Sequence, residues 1–220
     1  MALLRTLLFA PGNHARKVEK SFTLGADGVI LDLEDAVAIA EKEATRDKVV
    51  GALQPPRRCL GYVRVNAFDT PFCYGDLMAV VRPGLDGIVL PKVESASQLQ
   101  TVDWLVTQLE RERGMQPGSV DIIPIIETGR GMTALKAIVG CGSRVRRLSF
   151  GAGDYTLDMG MQWTLEEREL DHARANVVLA SRAGGLEPPL DTVFIHIGQI
   201  DGLRQSTRLA RNLGFQGKLC

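Results

Sequence analysis

Short apolar runs recur along the chain: TLLFA at 6–10, GVILDL at 28–33, CLGYVRV at 59–65, GIVLPKV at 87–93, DIIPII at 121–126, VRRLSF at 145–150, TVFIHI at 192–197 and KLC at 218–220. Most are continuous rather than alternating. Strands of a parallel sheet covered on both faces have that pattern, because neither face needs polar residues. The stretches between them carry helical periodicity. Residues 15–24 form an amphipathic segment that stops at Gly25, a suitable helix-terminating glycine. Residues 96–113 place Leu99, Val102, Leu105, Val106 and Leu109 on one side and end before Gly114. Thr164 and Glu167 have capping-box spacing and predict a helix through Leu170, Ala173 and Val177. Residues 204–213 predict a further helix, closed by Gly214.

Strand and helix alternate seven times, and an eighth strand begins at the C-terminus. The expected fold is α/β: a (β/α)8 TIM barrel, one domain over residues 1–220, cut near strand eight with its C-terminal helix and lid missing. Such barrels typically run about 250 residues. A doubly wound open sheet is the competing architecture, but no GxGxxG follows the first strand to support dinucleotide binding.

Charge and cysteine usage narrow the function. Lys+Arg and Asp+Glu number 26 each, so no broad imbalance draws the chain to nucleic acid or an anionic membrane. The cysteines, Cys59, Cys73, Cys141 and Cys220, stand far apart without a CxxC pair and read as reduced thiols of a cytoplasmic protein. His14, His172 and His196 lack HExxH spacing; the first two read as surface residues, and His196 as a core or a mouth residue. The opening MALLRTLLFAPG is too short for a secretory leader, and no apolar run approaches the roughly 20 residues of a membrane helix.

In either parallel architecture, function gathers at the carboxyl ends of the strands. Those ends carry Asn13, then Glu34 and Asp35, Arg64 and Asn66, Lys92 and Glu94, Glu127, Asp154, and His196 with Gln199. Core packing alone does not predict this series. An ionised carboxylate such as Glu127, closing the apolar run IIPII, costs desolvation energy unless water, a donor or a cation offsets it. Glu127 and Asp154, on neighbouring strands, suit Mg2+, which takes one or two protein carboxylates and keeps positions for water and substrate oxygens. They also read as solvated loop acids. Arg64 reads either as a buried ion pair with Asp32 or Glu34, or as a fork for a substrate carboxylate. Lys92 and Glu94 read as a mutual pair or as groups that orient others. Asp32 and Glu34 share one strand face, with Asp35 turned toward the loop; Asp32 reads as part of a salt-bridged cluster under Arg64 and Lys92. PGNHARKVEK opens a helix with Arg16, Lys17 and Lys20, either an anion site or a solvated basic face.

FAPGN, GVILDLEDAV, YVRVN, GIVLPKVES, IIPIIETGRG, LSFGAGDYTLDMG and DTVFIHI occur in one order. Together they resemble the HpcH/HpaI aldolase and citrate lyase family, on its citrate lyase β-subunit-like side, over nearly the whole chain. The resemblance implies a barrel of the phosphoenolpyruvate/pyruvate type. It implies a Mg2+-dependent carbon–carbon lyase that cleaves a malyl, citramalyl or citryl thioester, on CoA or an acyl-carrier thiol, to a 2-oxo acid and an acetyl thioester. It assigns metal ligation to Glu127 and Asp154, and substrate or oxo-acid binding to Arg64 and Glu127. Arg16 and Lys20 fall in its CoA-binding region, and catalytic roles fall to Arg64, Glu34 and Asp35. It also implies a homotrimer. Relatives place a further catalytic acid in a segment beyond Cys220 that reaches a neighbouring subunit, and no residue of this sequence matches it. The lyase subunit of a citrate lyase complex, acting on a citryl-acyl-carrier thioester, is one alternative. A non-catalytic metal- and acyl-CoA-binding protein is another.

Overall fold

The computed structural model describes residues 3–54 and 56–220; Met1 and Ala2, the start of the stretch read above for a secretory leader, lie outside them, as does Pro55. The strands are β1 (Thr6–Pro11), β2 (Gly28–Asp32), β3 (Leu60–Arg64), β4 (Gly87–Leu90), β5 (Asp121–Ile126), β6 (Ser149–Phe150), β7 (Leu190–Asp191) and β8 (Gly217–Leu219). All pair in parallel, each with its sequence neighbour. β8 returns to β1 through Thr6↔Lys218 and Leu7↔Leu219, which closes the barrel and excludes the doubly wound sheet.

The continuous apolar runs split by parity. Leu7, Ile30, Tyr62, Val89, Ile123, Ile125, Leu190 and Leu219 pack together inside the barrel. Val29, Leu31, Val63, Ile88, Leu90, Ile122 and Ile126 pack in the outer layer with helix residues. A period of two thus survives inside an uninterrupted hydrophobic string, because both faces of every strand are covered.

The helices on this outer layer are α1 (Ala15–Ser21), α2 (Lys42–Ala52), α3 (Cys73–Val80), α4 (Ala96–Glu112), α5 (Gly129–Thr133), α6 (Leu135–Val139), α7 (Ala152–Asp158), α8 (Asp171–Ala183) and α9 (Ile200–Leu213). α4 buries Leu99, Val102, Val106 and Leu109, and the Ser95–Gln98 capping box starts it. α9 ends where Gly214 takes φ +110°, a left-handed conformation that suits glycine.

Three expectations need correction. The Thr164–Glu167 capping box does not form. Thr164 bonds Glu169 instead, through its amide at 2.6 Å and its hydroxyl at 2.8 Å. Glu167 is buried at φ +53°. It accepts from Arg174 at 2.8 Å and from Ser206 at 2.6 Å, and α8 begins only at Asp171. Strand seven lies before TVFIHI, not on it. Leu190 pairs with Ser149 and Gly217, after which the Thr192 hydroxyl takes the Ala152 amide at 2.9 Å and the chain leaves the sheet. Ile197, fully exposed, shows that the rest of that run has no sheet to cover it. Strand six is likewise only Ser149–Phe150, because Arg147 upstream turns to Glu187 and Asp121.

Candidate active site

Ile123 and Ile125 point into the barrel, so the same parity brings Glu127 to its mouth one step past β5. Glu127 is 4% exposed. Its Oε1 accepts the Lys92 amide at 2.7 Å. Oε2 lies against Gly151, where a Cβ would also come within 2.7 Å of Ile125 Cγ2. Gly151 is therefore glycine because the carboxylate passes across its backbone. Burial, reinforced by the negative charges of Asp154 and Glu34, pushes the Glu127 carboxyl up to about 8. This is a buried acid short of positive charge.

Asp154 stands in the first turn of α7, right after β6. Lys92 connects it to the other acids. The Lys92 Nζ donates to Glu34 Oε1 at 2.6 Å and reaches Asp154 Oδ2 at 2.9 Å. Its backbone has φ +51°, in the left-handed region that a lysine rarely enters. One residue therefore contacts Glu127, Asp154 and Glu34 together, and it does not pair with Glu94. Glu94 accepts from the Thr128 hydroxyl at 2.9 Å and meets Arg130 at 3.4 Å.

Arg64 and Asp32 face each other in register across β3 and β2. Arg64 Nε and Nη2 each donate to one Asp32 oxygen at 2.7 Å. Nη1 lies 3.1 Å from Glu34 and 3.5 Å from Asp35. The guanidinium also sits over the Phe9 ring, 4.9 Å from its centroid. Of the two readings open in the sequence, the ion pair with Asp32 is present, and Arg64 still lines the mouth. Burial opposes ionisation of Asp32, but the guanidinium prevails and holds its carboxyl below the usual range. For Glu34 burial prevails over Arg64 and Lys92, and its carboxyl lies above that range.

Asp35, Arg64, Glu127 and Asp154 line one cavity of about 150 Å3, together with Phe9 and Thr192. Arg16 and Lys20 are not part of it. They lie with Asn13, His14 and Lys17 along an open concavity of about 780 Å3 on the outer side of α1. His196 pairs with the Thr164 carbonyl at 3.3 Å, away from the acids. His172 pairs with Asn176.

Three contributors escaped the sequence reading. Lys42 is buried and donates to the Leu33 and Glu34 carbonyls at 3.0 and 2.7 Å and to Asn66 at 2.6 Å. It reads in sequence as one more charge of a polar helix. Phe9 left only a faint signal, the parity of β1, and Thr192 left none, because the sequence reads it as the start of strand seven.

A parallel barrel with paired acids and an arginine at the carboxyl ends of its strands defines an enzyme of the TIM-barrel class. Its donors are hard oxygens. Among the described residues no group of three or more His, Cys, Asp or Glu side chains is arranged to hold a metal. Two carboxylates with Gly151 and Gly153 beside them fit a cation that retains water, as Mg2+ does, and the underpaired Glu127 fits it best. The family model for HpcH/HpaI aldolase/citrate lyase matches residues 5–220, and the chain belongs to this family of carbon–carbon lyases. It is 37% identical over 222 residues to the citrate lyase subunit beta of Leuconostoc mesenteroides subsp. cremoris, covering 98% of this chain and 72% of that one. It is 34% identical over 238 residues to the L-malyl-CoA/beta-methylmalyl-CoA lyase of Cereibacter sphaeroides, covering 97% and 74%. The structure of protein CitE from Mycobacterium tuberculosis, in complex with magnesium and pyruvate, superposes with a TM-score of 0.81 at 29% identity, covering 100% of this chain and 85% of that one. No helix of the described residues is long and apolar enough to cross a membrane.

Proposed function

We propose that the chain is a Mg2+-dependent lyase that cleaves a 3-hydroxy acyl thioester, of malyl, citramalyl or citryl type, to a 2-oxo acid and an acetyl thioester. The observation that carries this reading is the cavity in which Glu127 and Asp154 face Arg64. Glu127 and Asp154 would hold the metal. Bound there, Mg2+ supplies a Lewis acid that polarises the substrate hydroxyl and the nascent oxo acid.

The remaining work falls to the chain's own groups. Arg64, oriented by Asp32, presents Nη1 to the cavity and binds the carboxylate of the oxo-acid portion by exchanging its longer contacts with Glu34 and Asp35. Asp35, whose 59% exposed side chain lines the cavity, would take the hydroxyl proton. Loss of that proton makes the C–O bond a carbonyl and breaks the adjacent C–C bond. The electron pair passes to the thioester α-carbon, whose enolate takes a proton to become the acetyl thioester. Glu34, buried between Lys92 and Arg64, keeps both cations in place. Arg16 and Lys20, on the open face of α1, would meet the phosphates of a CoA or acyl-carrier thiol. The soluble thioester and oxo acid are the expected partners, and a homotrimer the expected assembly.

The higher identity to a citrate lyase subunit beta favours a second reading, in which the thioester is a citryl group on an acyl-carrier protein. Malyl-CoA, citramalyl-CoA, citryl-CoA and citryl-acyl-carrier protein, each incubated with Mg2+ or EDTA, separate the two. Release of a 2-oxo acid from one of them, abolished by EDTA, is expected; no release from any of the four contradicts the lyase reading.

A further inference from the structure

Lys92 is the residue whose geometry the lyase reading leaves unexplained. A non-glycine residue held at φ +51° costs free energy, and such residues persist where the surroundings over-determine them. Here the strained backbone does two things at once. It aims the amide at Glu127 Oε1 at 2.7 Å, and it sends the ammonium back to Asp154 Oδ2 at 2.9 Å and Glu34 Oε1 at 2.6 Å. Arg64 is committed to Asp32 through two bonds. Among the described residues, Lys92 alone brings a cationic side chain to Asp154.

We infer that Lys92 is an internal counter-cation that competes with the divalent metal for Asp154 and thereby sets the affinity of the site. The inference rests on the assignment of Glu127 and Asp154 as metal ligands. Asp154 Oδ2 cannot give the same lone pair to an ammonium and to a metal. A dication beside Nζ also repels it, and the repulsion is strong in a partly desolvated mouth. Glu34 Oε1 offers the ammonium a seat to which it withdraws while its backbone amide stays on Glu127. The lysine then plays two parts. It neutralises the acids when no metal is bound, and it holds metal affinity below what the carboxylates alone would give. Lys92 is a positioning residue in this account, since it acts through the ligands.

Mn2+, followed by electron paramagnetic resonance at fixed ionic strength, is the probe. Lys92→Met keeps an L-residue with a long side chain at the strained position and its backbone amide on Glu127, and removes the ammonium with its contacts to Asp154 and Glu34. It is expected to bind Mn2+ about tenfold or more tightly than the parent, because the competitor is gone. A purely structural lysine would change affinity in the opposite direction. Equal or weaker binding in Lys92→Met overturns the inference and leaves the metal assignment standing. Mn2+ bound by neither chain overturns both. Glu127→Ala should lose binding in either background; retained binding there overturns both as well. If Lys92→Met does not fold, crystals of the parent chain with saturating Mn2+ decide. Nζ should stand beyond hydrogen-bonding distance from Asp154 and remain on Glu34. Nζ still bonded to an Asp154 oxygen that ligates the metal overturns the inference.

Discussion

Asp32 and Arg64 occupy facing positions on β2 and β3, and Arg64 donates two hydrogen bonds of 2.7 Å to the Asp32 carboxylate at the mouth. The pair fixes the guanidinium plane, so that Nη1 alone is turned to the remaining acids and the cavity. Arg64→Met leaves Asp32 buried without its partner. It should lower unfolding stability by about 3–5 kcal/mol, as measured by urea denaturation. Arg64→Lys keeps the charge but not the fork, so it should fold while losing affinity for the oxo-acid product. Unchanged product affinity in Arg64→Lys would count against Arg64 as the carboxylate clamp.

Glu127 gives a pH dependence of defined sign. Its folded carboxyl, at about 8, lies above the ordinary value near 4.5. Between those values the folded chain keeps a proton that the unfolded chain has released. The stabilisation is therefore complete below about pH 4.5 and is lost as pH rises through 8. In EDTA, thermal midpoints of the parent should fall relative to Glu127→Gln across that window. Parallel curves would show that the carboxyl is not shifted. Because a metal requires the carboxylate form, apparent Mg2+ affinity should rise with pH over the same range.

Gly151 tests the close approach of the ligand. A Cβ there would lie 2.8 Å from the Glu127 Cβ and 2.7 Å from Ile125 Cγ2. Gly151→Ala should cost about 1–3 kcal/mol through overpacking and should weaken Mn2+ binding, because Glu127 must move. A variant with parental stability and affinity would mean that the mouth relaxes freely.

Lys42 supports the acidic loop from beneath. Its three acceptors include the carbonyls of Leu33 and Glu34. Lys42→Met leaves the buried Asn66 Oδ1 without its donor, at a cost of about 1–3 kcal/mol for such a group, while the Leu33 carbonyl keeps the Asn66 side-chain amide and the Glu34 carbonyl keeps the Val37 amide. Turnover should fall further than stability explains, since Glu34 and Asp35 lose their anchor. Chemical denaturation beside kcat/KM separates the two effects.

Much of this arrangement was legible in the sequence, and the failures have physical causes. Continuous apolar runs gave the strands because a two-sided parallel strand needs no polar face. They misplaced strand seven because Leu190–Asp191 offers two residues of pairing, whereas TVFIHI offers four apolar residues in six. Glu127, Asp154 and Arg64 were visible as polar residues closing or interrupting apolar strings. Asp32 as the partner of Arg64 was one of two readings, and register across β2 and β3 decided it. Lys42 was invisible because a lysine in a charged helix looks solvated whether or not its ammonium turns inward. Glu167 misled for a related reason: capping-box spacing describes local options, and tertiary partners on α8 and α9 outbid them.

The most direct measurement compares 2-oxo-acid release by the parent chain and by Glu127→Gln, with the same thioester and the same Mg2+, after circular dichroism has shown both to be folded. Metal ligation by Glu127 requires Mg2+-dependent release by the parent and a loss of at least about a hundredfold in the variant, the scale of several kcal/mol of transition-state stabilisation. Undiminished release by Glu127→Gln would contradict it.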